Sequence, residues 1–172
     1  MTQSAVLVPF YRDAANALRV VLIRRVNTGA HAGQIAFPGG KREPGDASMR
    51  ATAIRETTEE IGLLPDAIEV IESLPVVTTL TTGFDIHPFV ARIERPAAWR
   101  PQACEVADVI ELPVARLAEP AAHALERIDL GGGKATREMP CFRVGDLCIW
   151  GATYRILAPL LQRPTAPLGS FT

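Results

Sequence analysis

Glu56, Glu59 and Glu60 fall within five positions of the stretch AIRETTEEIG, residues 53–62, beside a single arginine, Arg55. On a helix turning about 100° per residue, Glu56 lies i,i+3 from Glu59 and i,i+4 from Glu60. Each such like-charge pair costs a helix roughly 0.2–0.5 kcal/mol. Gly62 suits the residue just past a helix end, so the acids also crowd the negative end of the helix dipole, at roughly 0.3–1 kcal/mol each. One arginine cannot balance three carboxylates, and a further cation is the natural compensation. All-oxygen donors favour hard divalent ions, magnesium or manganese rather than zinc. A solvated charged face is the bland account of such a cluster. The residues upstream argue for a site instead.

Those residues read FPGGKREPGD. Gly39 and Gly40 let the backbone turn sharply after a strand and approach a ligand closely. The Gly40 carbonyl could join a metal shell, and free N–H groups could meet a phosphate. Arg24, Arg25, Lys41 and Arg42 are close enough in sequence to supply phosphate contacts, although each is equally an ordinary surface residue. GGGKAT at 131–136 lacks the Ser or Thr that a phosphate loop needs after its lysine and reads as a hairpin turn. His87 and His123 read as structural.

These groups need elements to hold them. Residues 47–61 have helical spacing, with Ala53, Ile54, Thr57 and Ile61 on an arc of about 100° suited to packing on a sheet. SAVLVPF and LRVVLIRR are β-rich runs split by the polar turn YRDAAN. GQIAFPGG is a short strand and KREPGD a loop. IEVIESLPVVTT, GFDIHPFVARIE and EVADVIELPV read as three more strands, followed by a short helix at VARLAEP. LERIDLGGGKATREMPCFRV reads as a hairpin. The spacing of Ile149, Tyr154, Leu157, Leu160 and Leu161 predicts a last helix. Strands interleaved with two main helices imply an α/β sandwich. Residues 1–163 are expected to form one domain and 164–172 a loose tail.

The 172 residues suit one domain, and a hydrophobic share of 48% supplies its core. A net charge of −1 gives no electrostatic case for nucleic acid or an anionic membrane as partner. The start, MTQSAVLVPF, lacks a basic segment and a long apolar run, so neither a signal peptide nor a membrane span is expected. Cys104, Cys141 and Cys148 have no CxxC spacing and read as reduced thiols, buried as small hydrophobes, in a cytoplasmic protein.

GGKREPGDASMRATAIRETTEEIGL resembles the Nudix box, the strand–loop–helix signature of hydrolases that split a diphosphate linked to another moiety. The usual box spaces glycine, five residues, glutamate, seven residues, then Arg-Glu-aliphatic-x-Glu-Glu-x-Gly. Here Asp46 stands for the glutamate, eight residues separate it from Arg55, and Thr57 replaces the aliphatic residue. The aspartate and the extra residue are similar to the coenzyme A pyrophosphatase branch. So is HAGQIAFPGGK, from His31 to Lys41, and so are Ile149, Trp150, Gly151 and Thr153 before the last helix.

The resemblance implies an α/β/α sandwich with a mixed β-sheet. It also implies Mg2+ or Mn2+ held by Glu56, Glu59, Glu60 and the Gly40 carbonyl, with Arg55 fixing a glutamate. Family members often add one acid from a later loop, and Glu105 is the candidate, as ligand or general base. Arg24, Arg25, His31, Gln34 and Lys41 are candidates for substrate contact. The implied reaction is hydrolysis of coenzyme A or its thioesters to 4′-phosphopantetheine and 3′,5′-ADP. Bound cations would neutralise the diphosphate and a carboxylate would take the proton of water. ADP-ribose or another nucleoside diphosphate derivative is the second reading, and a non-catalytic sensing or protein-binding module the third; a homodimer is left open. In VVLIRRVNTGAHAG, Gly29 stands where the branch carries a second arginine. A weakened preference for the 3′-phosphate of coenzyme A follows.

Overall fold

The computed structural model describes residues 1–27, 33–79, 83–129 and 136–163. His31 and Gly29, the GGGK turn and the tail 164–172 lie outside them. Among the described residues the large sheet is built from β1 (Thr2–Arg12), β2 (Leu18–Arg25), β3 (Ile35–Ala36), β4 (Gly39–Lys41), β5 (Ile68–Ser73), β6 (Val77–Thr79), β7 (Phe84–Ile93) and β8 (Val106–Pro113). Its spine runs β3-β2-β1-β7-β5, with β4 on β1, β6 on β7 and β8 on β2. The central pair β1 and β7 is parallel, from Thr2 opposite Phe84 to Phe10 opposite Arg92, and the other pairings are antiparallel, so the sheet is mixed. A second, antiparallel sheet joins β9 (His123–Ile128), β10 (Arg137–Val144) and β11 (Leu147–Trp150).

Both faces of the large sheet are covered, which is why β1 and β2 read as nearly continuous apolar runs. Ala5, Leu7, Val21 and Ile23 face α1 (Met49–Ile61), against Ala53 and Ile61. Val8, Phe10, Val20 and Leu22 face the other way. There they meet α2 (Val114–Ala118), α3 (Gly151–Leu161) and the small sheet, through Leu117, Phe142, Ile149 and Leu157. The α/β/α sandwich expected from the sequence is the observed architecture.

Helix α1 has caps at both ends. The Ser48 hydroxyl accepts from the Ala51 N–H at 3.1 Å. Gly62 takes the left-handed conformation, φ 73°, and its N–H donates to the Thr58 carbonyl. Thr57, unusual for its place in the box, is fully buried, and its hydroxyl donates to the Ala53 carbonyl at 2.7 Å. The core thus accepts a polar residue with its hydrogen bond satisfied.

Four expectations need correction. GQIAFPGG reads as one short strand but is two, Ile35–Ala36 paired with β2 and Gly39–Lys41 paired with β1. Ile149 belongs to β11, not to the last helix, because a two-residue turn at Gly145 and Asp146 folds Leu147–Trp150 back onto β10. The run expected as one strand before residue 80 is two, β5 and β6, separated around Pro75, whose ring removes a ladder N–H. Of the cysteines, Cys141 is buried and Cys148 half-buried, but Cys104 is exposed on the loop before β8.

Candidate active site

Side-chain exposure along the acidic cluster falls from 53% at Glu59 to 15% at Glu56 and 2% at Glu60, which excludes a simple solvated face. The glycines of β4 make this possible. A Cβ on Gly40 would stand 2.5 Å from each carboxylate oxygen of Glu56. Gly39, at φ 152°, passes so close to β1 that a Cβ would reach 2.6 Å from the Val6 Cα. Its N–H donates to Glu60 Oε2 at 2.8 Å. The pair Gly39-Gly40 is therefore the floor on which two of the three carboxylates rest.

Arg55 holds the other side. Its Nε and Nη2 bind the two oxygens of Asp46 at 2.9 and 3.0 Å, a bidentate pair. It also reaches Glu56 and Glu59, each at 3.1 Å, and the Lys41 carbonyl at 3.0 Å. Asp46 accepts from the Thr52 hydroxyl at 2.8 Å and the Glu43 N–H at 2.9 Å, tying the loop to the first turn of α1. The guanidinium beside Asp46 holds that carboxyl well below the usual carboxylate range. The sequence assigned Arg55 to a glutamate and gave Asp46 no role. The signal was nonetheless present, since Asp46 fills the glutamate position of the box.

Burial pushes the Glu60 carboxyl up from its ordinary 4.5 to about 7. The Gly39 N–H and Arg25, whose Nη1 lies 4.0 Å from Glu60 Oε1, oppose the rise, while Glu56 and Glu105 reinforce it. Burial also raises Glu56, against the pull of Arg55.

Glu105 reaches this neighbourhood because its loop docks on the end of α1. The Arg100 and Gln102 N–H groups donate to the carbonyls of Ile61 and Glu60 at 3.1 and 2.9 Å, satisfying acceptors that a helix end leaves open. The Val26 N–H then donates to the Glu105 carbonyl at 3.0 Å.

A cavity of about 1190 Å³ opens over these groups. Gly40, Arg55, Glu56, Glu59, Glu60 and Glu105 line it, as do Arg25, Gln34 and Lys41. Arg24 is not among the lining residues; it pairs in the sheet with Asp108 and Ile35. His31 is outside the described residues. The remaining wall comes from β10, β11 and α3, with Arg137, Met139, Trp150, Thr153, Arg155 and Ile156. Sequence reasoning gave Arg137, Met139, Arg155 and Ile156 no part in a site, and they carry no local motif that would have marked them. As the side chains stand, no three His, Cys, Asp or Glu groups among the described residues meet at metal-holding spacing, because Glu56 and Glu59 are drawn onto Arg55.

A family model for the NUDIX domain matches residues 1–129. A protein described as an uncharacterized Nudix hydrolase, NudL, from Salmonella paratyphi B is 42% identical over 114 residues, 66% of this chain. The chain spans only 58% of that relative's length. A MutT/nudix family protein from Enterococcus faecalis superposes with a TM-score of 0.62 at 19% identity, over 91% of this chain and 59% of the other. The NUDIX domain of Shewanella oneidensis NrtR, complexed with ADP ribose, gives 0.55 at 22% identity, over 67% and 74%. At these identities the two structures speak for the fold.

Proposed function

The chain belongs to the Nudix family, and on that footing we propose that it hydrolyses the diphosphate bond of coenzyme A or its thioesters, releasing 4′-phosphopantetheine, acylated where the substrate is a thioester, and 3′,5′-ADP. One contact carries the choice of substrate. The Thr153 hydroxyl donates to the Ile35 carbonyl at 3.2 Å. It joins the two segments that resemble the coenzyme A branch, GQIAFPGGK and IWGAT, across more than a hundred residues of sequence. Both line the same cavity. Its volume exceeds the roughly 300–1,000 Å³ of common small-molecule pockets, as a long substrate requires.

The donor set fits a divalent cation. Glu56, Glu59, Glu60 and Glu105 with the Gly40 carbonyl are all-oxygen donors, and burial raises the Glu60 carboxyl to about 7 even with Arg25 4.0 Å away, so its countercharge is incomplete. Nudix hydrolases generally use metals such as Mg2+ or Mn2+, which when bound neutralise the diphosphate and acidify water. Glu56, Glu59, Glu60 and the Gly40 carbonyl would hold the ion. Arg55, anchored on Asp46, keeps Glu56 and Glu59 on the cavity side of α1. Arg25 and Lys41 line the same space and present cations to phosphate oxygens. Water attacks one phosphorus as the bond from that phosphorus to the bridging oxygen breaks. The proton of the water passes to a carboxylate, for which Glu105 on the exposed rim is the assigned base.

The test is kcat/KM for coenzyme A, acetyl-coenzyme A and ADP-ribose in magnesium or manganese. The reading expects at least tenfold preference for a coenzyme A substrate. Equal or better turnover of ADP-ribose would move the assignment to nucleoside diphosphate sugars.

A further inference from the structure

Resting on the coenzyme A reading, we propose that Arg137 and Arg155 form a second anion subsite, which takes a phosphate monoester of the substrate separate from the diphosphate. Both guanidinium-bearing residues line the cavity from the wall built by β10, β11 and α3, not from the wall of α1 and β4 that carries the carboxylates. On the acidic wall both arginines have carboxylate partners, Arg55 with Asp46, Glu56 and Glu59, and Arg25 with Glu60 at 4.0 Å, while Lys41 at the end of β4 stands beside the diphosphate position. Among the described residues, Arg137 and Arg155 make no ion pair with a carboxylate. Arg155 is tethered through one nitrogen, which donates to the Thr78 carbonyl at 2.9 Å. That leaves the rest of its planar fork for a ligand, and Thr78 itself lines the cavity.

The charge pattern selects the ligand. A cavity with carboxylates on one wall and carboxylate-free arginines on the other suits a substrate whose diphosphate meets the acidic wall through a cation. A further dianion on the same substrate can then meet the arginines directly. The Met139, Trp150 and Ile156 side of the cavity supplies apolar surface for the intervening moiety. Arg137 and Arg155 both lie beyond residues 1–129, the part that matches the family as a whole. The subsite is thus a property of this chain's C-terminal segment rather than of the shared box.

Calorimetric titration of the full chain with 3′,5′-ADP and with 5′-AMP, which differ by one phosphate monoester, tests this directly. Wild type is expected to bind 3′,5′-ADP about tenfold or more tightly than 5′-AMP, as charge-assisted contacts imply. Arg137→Ala and Arg155→Ala should each weaken 3′,5′-ADP about tenfold and leave 5′-AMP unchanged. Both side chains are exposed, so folding should survive, and the thermal midpoint checks it. In kinetics the variants should raise KM for coenzyme A with kcat retained and leave dephospho-coenzyme A unaffected. No preference for 3′,5′-ADP in wild type, or equal weakening of both nucleotides in the variants, overturns the subsite. If the binding preference holds but coenzyme A is not cleaved, the substrate reading fails and the subsite stands. Cleavage of coenzyme A without dependence on either arginine has the opposite meaning.

Discussion

Glu60 is buried, accepts the Gly39 N–H, and shares its surroundings with Glu56 and Glu105. Glu60→Gln is expected to lower kcat by about 10² or more by weakening a metal ligand, with the fold retained. Near-full turnover at saturating magnesium would remove Glu60 from the metal site. The same residue sets a pH signature for the metal-free protein. Its folded pKa of about 7 lies above the ordinary 4.5, so the folded state binds the proton more tightly than the unfolded chain. The resulting stability is fully present below about 4.5 and is lost as pH rises through about 7, a difference of about 3 kcal/mol. Asp46 is shifted downward, so its own loss occurs at more acidic pH, outside this window. Glu56, also raised by burial, adds to the same decline, so urea unfolding in chelator from pH 4.5 to 8 should show a steep loss in wild type and a shallower one in Glu60→Gln. Glu105→Ala should lower kcat by about 10²–10⁴ if Glu105 is the base, with the magnesium half-saturation unchanged. A rise in half-saturation would reassign it as a ligand, and wild-type kinetics would dismiss it from the site.

At the scale of elements, the site depends on how closely β4 approaches α1. Gly40→Ala places a methyl group in the space of the Glu56 carboxylate and should turn that side chain away. Since a displacement of about 1 Å at a reacting centre can cost about 10²-fold, kcat should fall by that order with little change in thermal midpoint. A crystal structure with Glu56 unmoved would contradict this account of the glycine. The elements that carry the site were also the most legible in the sequence. Helix α1 announced itself through its apolar arc and Gly62, and β1 and β2 through apolar runs around the YRDAAN turn. The fine structure of the acidic helix was less legible, because periodicity does not distinguish a buried Glu60 from a solvated one. That distinction comes from Gly39 and the loop 94–105 packing over the helix end. Strand β11 was hidden for a different reason. Four apolar residues running into a helix satisfy helical spacing as well as strand pairing, and only β10 decides between them.

For the molecule as a whole, residues 1–129 supply the acidic half of the cavity and the segment after them supplies its other wall. Motif spacing showed the first half. The second depends on where α3 and the small sheet settle against Ile35 and Thr78, which is a tertiary outcome. The absence of an arginine at position 29 suggested a weakened grip on the 3′-phosphate, and Arg137 and Arg155 offer cations from a different part of the chain. Which bond is broken decides the substrate. Coenzyme A should be incubated with the protein and magnesium or manganese, and the products separated by chromatography and identified by mass. The expected products are 4′-phosphopantetheine and 3′,5′-ADP in equal amounts, with their formation abolished by chelator. Dephospho-coenzyme A with the diphosphate intact, or unchanged coenzyme A beside cleaved ADP-ribose, would contradict the coenzyme A reading.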